Sequence, residues 1–196
     1  MKEWSLVECM LIGKRGEGLI EIDRCMKIGV MCSGNGTNFE NLVLACPEHQ
    51  FVLMVYNKEN CGAKKRADRL GVPSCLIKSK DESRIINEFK WAGVDIIFLA
   101  GWMRIITSNF VNSFPDKIIN IHPSLLPKYK GLNAVQQALD SGDTVTGCTV
   151  HMVTEELDSG RILYQAYVPI RDDDTLESLS HRIQQEEHRI LPLILK

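Results

Sequence analysis

At 196 residues, 44% of them hydrophobic, the chain is long enough for one α/β domain with a substantial core and short for two. A formal net charge of −2, with basic residues scattered apart from Lys64, Lys65 and Arg66, argues against a broad nucleic-acid footprint, and no apolar run approaches the ~20 residues of a membrane span. The seven cysteines show neither C-x-x-C pairs nor regular spacing, so they read as small buried residues in a reducing, cytoplasmic compartment rather than as a disulfide frame or zinc site.

Trp4 to Gly13 is mildly apolar, but Glu3 and Glu8 interrupt it and no small-residue cleavage site follows, which argues against a secretory signal. Residues 1–25 read as an N-terminal extension: either an added surface segment or, the preferred reading, sequence upstream of a start at Met26. Residues 26–196 read as a single domain, without repeats or low-complexity tracts.

Lys27 to Cys32 is a β-type run, Ser33 to Gly36 a glycine-rich turn, and from Thr37 the residues Phe39, Leu42, Val43 and Cys46 keep helical spacing. Phe51 to Tyr56 predicts a second strand, and Cys61 to Leu70 a helix closed by Gly71 before Val72-Pro73. Cys75 to Ile77 predicts a brief strand, and Asp81 to Trp91 a helix burying Ile85, Ile86 and Phe89. Val94 to Ala100 is a continuous apolar strand fit for the centre of a sheet. A short helix at Asn109 to Phe114 precedes the strand within Lys117 to Pro127.

Five strands alternating with helices imply a doubly wound, mostly parallel sheet with helices on both faces, a Rossmann-like α/β fold whose ligands bind beyond the carboxyl ends of the strands. Asn133 to Leu139 is helical. Two further β runs, Gly147 to Val153 and Ile162 to Val168, are joined by too little chain for a crossover helix, so the second should be antiparallel to its neighbour. Thr175 caps a final helix whose Leu176, Leu179 and Ile183 are expected to face the core.

Three stretches carry chemistry. Ser33-Gly-Asn-Gly-Thr-Asn38 ends a strand and opens a helix, where backbone amides and the positive helix terminus favour an anion such as phosphate, although it is neither a P-loop nor a full G-x-G-x-x-G. A plain tight turn would use the same glycines. In Lys117 to Pro127, strand alternation puts Asn120 and His122 on one face and Ile119 and Ile121 on the other, and Pro123 ends the strand with the imidazole at its mouth. A core histidine satisfied by a hydrogen bond is the alternative. The acidic loop Thr154 to Gly160 offers Asp158, set between Leu157 and a Ser-Gly turn, as a carboxylate able to orient an imidazole, with Glu155 and Glu156 read as solvated.

From Met26 onward the chain resembles the phosphoribosylglycinamide formyltransferase family. The resemblance is carried by Ser33-Gly-Asn-Gly-Thr-Asn38, Leu99-Ala-Gly-Trp-Met-Arg104, Asn120-Ile-His-Pro-Ser-Leu-Leu-Pro127 with Lys128-Tyr-Lys-Gly-Leu132, Thr149-Val-His151, Glu156-Leu-Asp158 and Gln185-Glu-Glu-His188. It implies formyl transfer from 10-formyltetrahydrofolate, as co-substrate, to the amine of glycinamide ribonucleotide, with Asn120, His122 and Asp158 catalytic and no metal. The same resemblance puts the ribonucleotide on Gly34, Asn35, Gly36, Thr37, Asn38, Gln184 and Glu187. It puts the folate on Arg84, Met103, Arg104, Ile105, Ile106, Val153, Thr154, Glu155 and Asp158. Packing in the core is the alternative for Met103 and Ile106. The implied partners are small molecules, without nucleic acid or membrane, and the implied assembly is a monomer or homodimer.

The sequence departs from the family pattern at Trp102, where Phe is usual, at Arg161, where Pro is common, and in stopping at Leu195-Lys196 where many members continue. Relatives of the same fold leave other readings. Methionyl-tRNA formyltransferase adds a basic tRNA domain and formyltetrahydrofolate deformylase an N-terminal regulatory domain, and this length is expected to leave room for neither. A sugar-amine formyltransferase, or a regulator that binds folate or nucleotide without turnover, remains as a further alternative.

Overall fold

The computed structural model describes residues 25–80 and 82–196. The reading of residues 1–25 as an extension, the mildly apolar run included, lies outside the described residues except for Cys25, as does the helix start at Asp81.

The elements follow the expected alternation. They are β1 (Lys27–Cys32), α1 (Thr37–Ala45), β2 (Gln50–Tyr56), α2 (Gly62–Leu70), β3 (Ser74–Leu76), α3 (Ser83–Ala92) and β4 (Ile96–Leu99). There follow α4 (Ser108–Ser113), β5 (Ile118–His122), α5 (Ala134–Asp140), β6 (Val145–Met152), β7 (Ile162–Pro169) and α6 (Leu176–Ile190), with a 3-10 turn at Leu191–Leu195. Seven strands form one sheet in the order β3-β2-β1-β4-β5-β6-β7, so the apolar β4 is central, as its unbroken hydrophobic run requires. Strands β1 to β5 are mutually parallel, whereas β6 pairs antiparallel with β5, and β7 antiparallel with β6.

Alternation divides the core in two. Ile28, Val30 and Cys32 of β1, Ile96 and Phe98 of β4, and Ile119 and Ile121 of β5 face a cluster closed by α1, α2 and α6. Met31, Ile97, Leu99 and Ile118 face a second cluster with Ile85, Ile86 and Phe89 of α3 and Phe110 of α4. Burial of Phe89, which is fully enclosed, contributes roughly 2 kcal/mol.

Two expectations are corrected. Leu176 is 47% exposed rather than in the core, because it is the first residue of α6 and lies one turn outside the stripe of Leu179 and Ile183. The described cysteines are not uniformly buried: Cys32, Cys46, Cys61 and Cys148 are, but Cys25 is exposed and Cys75 half-buried, and these six are free thiols. Desolvation raises Cys46 to about 11 and holds Cys32 and Cys148 higher still, so these thiols are inert small hydrophobes.

The strand order reverses at β1 and β4, the place where an open α/β sheet leaves a crevice beyond its carboxyl ends. A cavity of about 800 Å³ occupies it, lined by the loops after β1, β4 and β5, the loop between β6 and β7, and one face of α6.

Candidate active site

The first wall of the cavity is the turn from β1 into α1. Gly36 is the N-cap of α1 in a left-handed conformation (φ 76°), and no side chain caps the helix, so its first amides are left for another acceptor. From α6, the Gln184 amide donates to Thr37 Oγ1 at 3.0 Å, and Glu187 Oε2 accepts from Asn38 Nδ2 at 2.8 Å. The two α6 residues are three apart and so share a helix face, together with Ser180, which also lines the cavity. Burial pushes the Glu187 carboxyl up to about 7, opposed by the Asn38 hydrogen bond. Asn38 Oδ1 is buried without a protein partner, an acceptor left over beside that carboxyl.

The second part is built where β5 meets β6. Asn120 and His151 stand directly opposite in the antiparallel register, so both side chains project from the same face, and Asn120 Nδ2 lies 3.1 Å from His151 Nε2. His151 Nδ1 lies 2.8 Å from the Met152 carbonyl, which can only accept. That carbonyl places the ring proton on Nδ1 and leaves the Nε2 lone pair to accept from Asn120. Burial lowers the His151 pKa, more strongly than the Met152 hydrogen bond and the Asp158 charge raise it, so the ring is neutral. The Asn120 amide is thereby fixed in orientation, with one N–H held by His151 and the other free.

His122 is 5% exposed and its Nε2 lies 2.8 Å from the Tyr129 carbonyl, which makes Nε2 a donor by the same argument. The other nitrogen, Nδ1, is 3.5 Å from Asp158 Oδ2, while Asp158 Oδ1 is 3.6 Å from His151 Nε2. Both separations are longer than a hydrogen bond, and because His151 is neutral only His122 could form an ion pair with this carboxylate. Asp158 sits at φ 48°, where its Oδ2 accepts from the Gly131 amide at 2.8 Å. The carboxylate is therefore anchored from the loop after β5 and faces both imidazoles.

The third part is apolar. Met103 and Ile105 are 62% and 77% exposed on the cavity rim, so neither is a core residue, whereas Ile106 packs partly against the core and lines the cavity as well. Arg104 lines it too, its guanidinium donating to the carbonyls of Ser79 at 2.7 Å and Lys78 at 3.0 Å and lying 5.7 Å over the Trp102 ring. Val153, Thr154, Glu155 and Asp158 complete the wall, with Glu155 accepting from Asn112 at 3.1 Å.

Of the residues singled out from sequence, all but Arg84 line this one cavity. Arg84 is turned away on α3, where its side chain meets Glu88 and Cys75 at 3.9 Å. In the first turn of α3 this exposed arginine lies beside its i+4 carboxylate rather than on the cavity wall. In the sequence His151 carries no assigned role. Only the β5–β6 register reveals it, and no local pattern in Thr149-Val-His151 could have done so. Among the described residues no group of histidine, cysteine and carboxylate side chains could hold a metal ion.

A parallel sheet with an antiparallel edge thus brings together, in one cavity, an uncapped helix start beside a buried carboxyl group and an Asn–His–Asp–His cluster at a strand end, the groups of an enzyme that binds an anion and moves a proton. Residues 26–195 match the Formyl transferase family, and the chain belongs to that family.

Among curated relatives it is 39% identical to phosphoribosylglycinamide formyltransferase of Escherichia coli (strain K12), over 87% of this chain and 85% of that protein. It is 43% identical to trifunctional purine biosynthetic protein adenosine-3 of Chironomus tentans, over 93% of this chain but only 14% of that far longer protein. The crystal structure of glycinamide ribonucleotide transformylase 1 from Symbiobacterium toebii superposes with a TM-score of 0.85 at 38% identity, covering 92% of this chain and 91% of that one.

Proposed function

We propose that the protein transfers the formyl group of 10-formyltetrahydrofolate to the primary amine of glycinamide ribonucleotide, a step of purine synthesis, with residues 26–196 as the catalytic unit. The observation that carries this reading is the joint placement of Asn120, His122 and Asp158 in one cavity with an uncapped helix start and Glu187. The names of relatives that match most of their own length support it.

The ribonucleotide phosphate is taken by the backbone amides of Gly34 to Asn38, and the ribose hydroxyls donate to Glu187. A flat pterin enters the apolar slot formed by Met103, Arg104, Ile106 and Val153 to Asp158, where backbone groups supply the polar contacts. The substrate amine attacks the formyl carbon, and the carbonyl π electrons move to oxygen as a tetrahedral oxyanion. The free N–H of Asn120 and the Nδ1–H of an imidazolium His122 donate to that charge. Because Nε2 is held by Tyr129, Nδ1 is the nitrogen available to the reaction.

Asp158 stabilises the imidazolium from 3.5 Å, a separation too long to hold the Nδ1 proton in a hydrogen bond, so that proton is open to the substrate. The attacking nitrogen loses a proton, N10 of the folate gains one, and collapse of the oxyanion breaks the C–N10 bond. Formylated ribonucleotide and tetrahydrofolate leave. A reducing, cytoplasmic setting is supported by the free and largely buried thiols.

The test mixes the purified protein with both substrates and follows tetrahydrofolate. Amine-dependent release is expected. Absence of release defeats the reading, and release without the amine assigns a hydrolase instead.

A further inference from the structure

The anion loop after β1 is held from behind by a helix that lines no part of the cavity. Gly34 O accepts from the Ala63 amide at 3.2 Å and Asn35 O accepts from Arg66 Nε at 2.9 Å, both on α2. In a planar trans peptide the carbonyl of one residue and the N–H of the next point in opposite directions. Fixing those two carbonyls on α2 therefore turns the amides of Asn35 and Gly36 away from α2, to the side where Gly34 to Asn38 line the cavity.

The packing leaves no slack. A Cβ on Gly36, at φ 76°, would lie 2.7 Å from Ala63 Cα, and a Cβ on Gly62 would lie 2.1 Å from Asn35 Oδ1 and 2.7 Å from Asn35 O. Arg66 is itself held: its Nη1 donates to Glu40 of α1, whose other oxygen accepts from Arg69. The Arg66 and Glu40 side chains are only 24% and 18% exposed.

We propose that Arg66, with Gly62 beneath it, is a positioning residue for phosphate recognition. It orients the loop amides through Asn35 O and ties the loop to the first turn of α1 through Glu40. The proposal rests on the reading that this loop takes the ribonucleotide phosphate. Arg66 touches no substrate, and its effect falls on one substrate alone, because the folate wall is built from the β4 and β6–β7 loops, which among the described residues share no hydrogen bond with α2.

Steady-state kinetics of Arg66→Gln, Arg66→Lys, Gly62→Ala and the control Arg69→Gln test this. In Arg66→Gln the KM for glycinamide ribonucleotide and the calorimetric Kd for ribose 5-phosphate should rise about tenfold, with kcat and the KM for 10-formyltetrahydrofolate within about twofold. Lysine, which keeps the charge but not the two-armed geometry, should restore part of the loss. Gly62→Ala should reproduce the ribonucleotide defect with Arg66 intact, and Arg69→Gln should leave every constant unchanged.

An unchanged ribonucleotide KM, an equal rise in both KM values, or an equal effect of Arg69→Gln overturns the proposal. Should Arg66→Gln fail to fold, Arg66→Lys and Gly62→Ala give the same decision. If the parent enzyme turns over no glycinamide ribonucleotide, the reaction assignment fails by itself, and ribose 5-phosphate binding still decides. Weaker binding in Arg66→Gln sustains the brace, and no binding to the parent protein overturns it.

Discussion

Asn120 of β5 and His151 of β6 face each other across an antiparallel pair, with Asn120 Nδ2 3.1 Å from a His151 Nε2 whose proton the Met152 carbonyl has drawn to the opposite nitrogen. An amide held in this way offers its remaining N–H in a fixed direction. Replacing His151 by Phe frees the amide to rotate and should lower kcat about tenfold to a hundredfold with smaller changes in either KM, the order expected for a misdirected oxyanion donor. Turnover measured at saturation in both substrates checks it, and parental kcat would remove His151 from the machinery.

In the proposed reaction His122 and Asp158 handle the proton. His122→Ala and Asp158→Asn should each reduce kcat by about a hundredfold or more. Asparagine is well tolerated at the left-handed φ of 48° and keeps an oxygen for the Gly131 amide, so the second variant removes charge with little change of loop shape. Near-parental rates in either would remove its role.

Glu187 makes stability depend on pH. Its folded carboxyl titrates at about 7 against an ordinary 4.5, so between those values the folded state binds the proton and the unfolded chain does not. The stabilisation is complete below about pH 4.5 and is lost as pH rises through 7, costing about 3 kcal/mol at pH 8. Glu187→Gln should match the parent in thermal unfolding at pH 4.5 and exceed it at pH 8, while raising the KM for the ribonucleotide. Equal melting temperatures at both pH values would contradict the burial argument.

Gly160 lies under the site. A Cβ there would be 1.8 Å from the Met152 carbonyl oxygen, the same atom that sets the His151 tautomer. Gly160→Ala should therefore cost about 1–3 kcal/mol of stability through overpacking and depress kcat as well. Denaturant unfolding and turnover on one preparation separate the two effects.

Much of the architecture is legible in short stretches of the chain. The β4 run from Ile96 to Leu99 announces a central strand because only a strand buried on both faces can be apolar throughout. Thr175 announces the start of α6, and its side chain does accept from the Ser178 amide in a capping box. Leu176 misleads for a related reason: a first-turn residue can keep the helical period and still lie beyond the packed stripe.

The site divides along the same line. Alternation along β5 by itself determined that Asn120 and His122 share a face, and the step from β1 into α1 determined an anion-favouring helix start, because both follow from backbone geometry within a few residues. Only the tertiary structure decided which groups meet them. It brought His151 against Asn120 through strand register, closed Tyr129 O on His122 and Asp158 on both imidazoles, set α2 behind the loop after β1, and turned Arg84 away from the cavity. The meetings of Asn120 with His151, of Asn35 with Arg66 and of His122 with Asp158 join residues far apart in the chain, and their geometry comes from sheet pairing and close packing, which no local period encodes.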